Sequence, residues 1–137
     1  MWWMYALFSA GFAALTAVLA KIGIQNVNSH LATSIRTVVV LFVAWGIVFA
    51  KGEATGISHL SSRNWLFLCL SGIATGLSWI FYFKALQVGN VSQVAAVDKL
   101  SVALAIVLSV IFLGETLTLK AAIGAALIIA GTIVLIF

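Results

Sequence analysis

The sequence contains no proline, one cysteine, three acidic residues and only 7% charged residues among 137. Without proline, no helix carries the break that a missing amide and a ring clash impose. The lone Cys69 can make no intrachain disulfide and says nothing about redox compartment; it reads as a small packing residue. Seven basic residues are scattered singly among helix ends and form no patch or stripe, so a net charge of +4 gives no reason to expect nucleic acid as a partner. No HExxH, GxSxG, GxxxxGK or CxxC occurs, and His30 and His59 fall in different connectors. The chain therefore offers no metal site, no cofactor-binding motif and no nucleophile beside a base, which argues against an enzyme.

What the sequence has instead is apolar length. It is 64% hydrophobic with a mean hydropathy of +1.25, too much for one water-soluble core of this size. About 20 mostly apolar residues cross the hydrocarbon layer as a helix, because only a helix satisfies its own backbone there. Five stretches have that length: Trp3 to Ala20, Leu31 to Ala50, Trp65 to Leu86, Val91 to Leu113, and Lys120 to Phe137. The expectation is an all-α membrane protein of five transmembrane helices forming one domain over 1–137, multi-pass in the cell's inner (plasma) membrane. The opening Met1-Trp2-Trp3-Met4-Tyr5 has no charge before Lys21, unlike a secretory signal, so the first helix is expected to stay as a span.

Glycine ends one helix and Asn, Ser or Thr starts the next at three connectors: Gly23 to His30, Gly89-Asn90, and Gly114 to Thr118. The fourth, Lys51 to Asn64, is longer and reads as a solvated loop. Lys51, Arg63 and Lys120 share the face of the N-terminus against Lys21 and Lys84 on the other, which favours a cytoplasmic N-terminus by one charge. Snorkelling of Arg36 and Lys99 reverses that sign, so dual topology stays open. A weak echo runs at an offset of 63 residues, pairing Lys21 with Lys84, Ser29 with Ser92, Ala32 with Ala95 and Arg36 with Lys99. Duplication and biased composition both account for it.

Ionisable groups inside a span are costly and point to function. Arg36 lies about six residues into the second span, and Asp98 and Lys99 lie seven and eight residues past Val91. One reading pairs Arg36 with Asp98 in a salt bridge that only fixes packing. The other places all three in a water-accessible site where Asp98 takes a cation or a coupling proton. At helical spacing Asp98, Ser101, Ala105 and Ser109 share one face, and the third span offers Ser71, Thr75, Ser78 and Tyr82 beside Trp79. Taken singly, each serine is better explained by close packing in lipid, as is the Gly72-xxx-Gly76 spacing. Trp79 and Tyr82 suit either a cavity wall, stacked on a substrate cation, or the lipid interface. The candidate substrate and coupling set is Asp98, Arg36, Lys99, Trp79, Tyr82, Ser78, Thr75 and Ser101.

The run Gly72-Ile73-Ala74-Thr75-Gly76-Leu77-Ser78-Trp79 is followed by Tyr82-Phe83-Lys84-Ala85-Leu86 and Gly89-Asn90-Val91-Ser92. Leu113-Gly114-Glu115-Thr116-Leu117-Thr118 and the spaced Gly124 and Gly131 complete a pattern over essentially the whole chain that resembles one repeat of the EamA family, in the drug/metabolite transporter superfamily. Most members of that family resemble two such five-helix repeats fused in inverted orientation around a substrate cavity. The resemblance implies a ten-helix homodimer, antiparallel by analogy with the small multidrug resistance proteins or parallel with a weak bias. It implies a secondary transporter, an exporter of small polar metabolites working by alternating access, with membrane lipids, a small-molecule substrate and a coupling proton as partners. The rival readings are a non-transporting scaffold subunit and a subunit of a lipid-carrier flippase. Where the family usually has a proline and a hydrophobic residue early in the fourth helix, this chain has Asp98-Lys99, a charged pair in place of an apolar kink.

Overall fold

The computed structural model describes residues 1–137, and every regular element in it is helical. Helices α1 (Trp2–Gly23) and α2 (Ser29–Ala50) are followed by a 3₁₀ segment, Glu53–His59, and by α3 (Ser62–Val88). The chain continues through α4 (Val91–Asp98), α5 (Leu100–Leu113) and α6 (Leu119–Ile136). Because α4 and α5 together make one span, Val91–Leu113, these helices amount to five segments long and apolar enough to cross a membrane.

The ends of the helices follow from local chemistry. The Asn28 side chain accepts from His30 N at 2.8 Å to start α2, and the Thr118 hydroxyl accepts from Ala121 N at 3.2 Å to start α6. Gly114 ends α5 at φ 67°, in the left-handed region that a β-carbon disfavours. Gly52 closes α2 in the same way at φ 68°. The segment after Gly52, read from sequence as a solvated loop, is largely exposed and winds into a 3₁₀ turn steadied by Ser58 Oγ donating to Thr55 O at 2.8 Å.

The fourth span breaks where no proline stands. Lys99 N–H is shared between Ala95 O at 3.3 Å and Ala96 O at 3.1 Å, and Val102 N donates to Lys99 O at 3.0 Å, an i to i−3 bond. The helix therefore tightens to 3₁₀ geometry for one turn. The single helical face expected to carry Asp98, Ser101, Ala105 and Ser109 is interrupted between its first two members.

The chain divides into two compact units, one formed by 1–19 with 88–137 and the other by 20–87. In the first, α6 packs along α4 and α5, with Ala103 and Thr132 buried. Small side chains let backbones approach closely in lipid. Thr132 Oγ1 donates to its own helix at Ile128 O (2.8 Å) and across to Ala96 O (3.1 Å), three residues before the break. A hydroxyl from a neighbouring helix is one of the few ways to give a carbonyl beside a helix break an extra partner where water is absent.

In the second unit the buried residues are Ile24, Ser29, Thr33, Phe83 and Leu86. Thr33 and Thr37 turn their hydroxyls back to the carbonyls of Ser29 and Thr33, both at 2.8 Å, so the polar stripe of α2 is satisfied within its own helix. Lys21 Nζ donates to Leu86 O, and Gln87 Nε2 donates to Val27 O, tying the α1–α2 connector to the end of α3. Gly72 and Gly76 have open space where a β-carbon would stand, so their spacing marks no helix contact within this chain.

Candidate functional site

Arg36 is half-buried on α2, and its partners are aromatic. Its guanidinium lies 4.2 Å from the centroid of the Trp79 ring and 5.2 Å from that of Phe83. Trp79 and Phe83 are one helical turn apart on α3, so the two rings present neighbouring faces to one cation. Tyr82 extends the aromatic group, with its ring 6.2 Å from Phe83 and tilted by 48°. A guanidinium over an aromatic face is worth about 0.5–2 kcal/mol, more as water is excluded. Trp79, weighed from sequence as a platform for a substrate cation or as an interfacial residue, instead carries the protein's own cation.

Phe83 is the residue that sequence reading missed. It is only 2% exposed and both supports Arg36 and anchors the packing of the unit. Its signal was present in the i, i+4, i+7 row Trp79, Phe83, Leu86, but that row is indistinguishable from ordinary lipid-facing residues until α2 is known to lie against it.

The other part of the predicted set falls at the break in the fourth span. Asp98 ends α4 and forms an ion pair with Lys99 at 3.5 Å. Both side chains stay accessible, at 39% for Asp98 and 58% for Lys99. Adjacent residues of a helix do not face each other, so this pair exists because the chain tightens there. Ser101 follows on α5 and is exposed. On α3, Ser78 is exposed, and the Thr75 hydroxyl is spent on Ser71 O at 2.9 Å. The structure thus unites Arg36, Trp79 and Tyr82 through Phe83, and Asp98 with Lys99, while it leaves Ser78, Thr75 and Ser101 outside both groups. No cluster of His, Cys, Asp and Glu suited to a metal ion is present.

Five apolar spans, one with a cation held on aromatic rings and another broken at an acid, describe a polytopic membrane protein with polar chemistry inside its spans, the pattern of a transporter. The chain belongs to the EamA-like transporter family, whose model matches residues 1–137. It is 51% identical over 134 residues to a Sinorhizobium protein described as an uncharacterized transporter in the cobO 3' region, covering 98% of this chain and 95% of that one. It is 28% identical over 134 residues to the uncharacterized transporter YxxF of Bacillus subtilis strain 168, covering 93% of this chain but only 40% of the relative. No solved structure matches the chain.

Proposed function

We propose that the chain is a secondary transporter that exports small polar metabolites bearing a carboxylate, working as a homodimer by alternating access in the cell's inner membrane. The observation that carries this reading is Arg36, a permanent cation kept within a span by Trp79 and Phe83. A guanidinium stacked on rings keeps its edge donors free for a planar oxyanion, which a guanidinium locked onto a carboxylate does not. Asp98 is the coupling or substrate-binding carboxylate, at a helix break of the kind where transporters expose polar backbone to a binding site. Lys99 holds its charge state.

The lengths of the relatives support pairing. The Sinorhizobium relative is matched along 95% of its length, whereas YxxF has room beyond the match for a second unit of the same size. The unobstructed Gly72 and Gly76 leave a small-residue face of α3 open to a second copy. Either an antiparallel or a parallel pair uses that face.

The test is flux in proteoliposomes under an inward proton gradient, with amino acids, organic acids and organic cations supplied in turn to wild type and to Asp98→Asn. Carboxylate-bearing substrates should evoke current in the wild type and none in the variant. Flux restricted to organic cations would overturn the substrate class, and silence from all three classes would move the scaffold and flippase-subunit readings ahead.

A further inference from the structure

The second unit holds a cleft of about 820 Å³ where the α1–α2 connector meets the end of α3. Lys21, Lys84 and His30 line it together with Asn28 and Gln87, and no acidic side chain does. Two ammonium groups and an imidazole therefore converge on one space without a carboxylate to neutralise them. Lys21 and Gln87 are committed to carbonyls, and in doing so they brace the walls of the cleft. The His30 amide, the second of α2, is likewise taken, by the Asn28 side chain. Lys84 is exposed and enters no ion pair or hydrogen bond, which makes it the open donor of the group.

Depth distinguishes this cleft from an ordinary solvent pocket. The apolar part of α3 from Trp65 to Phe83 is 19 residues. At 1.5 Å per residue that is about 28 Å, close to the ~30 Å of a bilayer's hydrocarbon core. Lys84 is the next residue, so it emerges at the level of the headgroups. The volume admits a group as large as a lipid headgroup, and lysine binds phosphate as a point charge without needing a planar partner.

We propose that this cleft is a binding site for a phosphate-bearing anion, either the headgroup of an anionic phospholipid or a soluble phosphate, with Lys84 as the principal contact, Lys21 as the second cation and His30 completing the wall. The lining of the cleft includes neither Arg36 nor Asp98, and the proposal does not depend on the transport reading.

The experiment is native mass spectrometry of the full chain released from micelles containing phosphatidylglycerol or phosphatidylcholine, with inorganic phosphate added as competitor, on wild type, Lys84→Gln and Lys84→Arg. One lysine near a membrane surface accounts for about a fivefold preference for anionic lipid. Wild type should retain phosphatidylglycerol over phosphatidylcholine, Lys84→Gln should lose about fivefold of that preference, and Lys84→Arg should keep it. If inorganic phosphate displaces the lipid from wild type, the soluble anion is the ligand; if it does not, the lipid headgroup is. Equal retention of the two lipids by wild type without phosphate binding, or a preference unchanged in Lys84→Gln, would overturn the site. Matching unfolding temperatures of the two variants separate a lost site from a lost fold.

Discussion

The two units of the chain treat charge differently. Residues 20–87 carry five of the seven basic residues and one of the three acids, while the remainder carries two of each and is neutral. The cationic unit sets its intramembrane Arg36 on the rings of Trp79 and Phe83, and its Lys21, at the end of α1, on Leu86 O. The neutral unit pairs Asp98 with Lys99 where its helix breaks. A charge in lipid is costly unless it is paired or hydrated. The contrast shows two remedies: a cation set on aromatic faces with its donors left available, and a local ion pair beside a helix break.

The comparison can be broken or sharpened by substitution. The largest effect is expected from Asp98→Asn, which should abolish proton-driven flux while the purified protein keeps its unfolding temperature; retained coupling would take that role away from the neutral unit. Phe83→Ala should destabilise the protein by about 3 kcal/mol, the cost of emptying a buried aromatic site, read as a lowered midpoint of thermal unfolding. An unchanged midpoint would mean that the rings do not hold the cationic unit together. Arg36→Lys keeps the charge but gives up the flat stack on Trp79, worth about 1 kcal/mol. The KM for a carboxylate substrate should then rise about fivefold with kcat nearly constant, and equal KM values would show that stacking is incidental. The smallest change is expected from Thr132→Val, about 0.6 kcal/mol for an interhelical hydrogen bond in a bilayer. Faster amide exchange confined to the residues around Ala96 is its sharper signature.

Much of the architecture was legible in the sequence because membrane thickness and backbone satisfaction leave few choices. The five spans lie where apolar length placed them, and Asn28, Thr118 and Gly114 mark helix ends as their chemistry predicts. The arrangement around the charges was not legible. In a soluble helix an apolar stripe shows which side faces inward, but in lipid the polar stripe of α2 is satisfied within its own helix as readily as against a neighbour, so periodicity could not say which side of α2 meets α3. Phe83 was hidden for that reason, whereas Trp79 and Tyr82 stood out only by residue type. The break at Lys99 was hidden for another: proline and glycine are the visible breakers, and an acid followed by a lysine carries no such mark. The separation of Ser78, Thr75 and Ser101 from the charged groups was equally invisible, since a hydroxyl that bonds to its own backbone looks in sequence like one offered to a substrate.

The joint in the fourth span differs in kind from one made by a ring. Proline bends a helix by deleting a donor, and nothing short of replacing the residue restores it. Lys99 keeps its amide hydrogen and divides it between two successive carbonyls, Ala95 and Ala96. The segment thus stands midway between two hydrogen-bond registers, and moving to either is an exchange of acceptors with no bond given up. A break written this way removes no backbone donor, and a return to regular α geometry would strand none in the membrane.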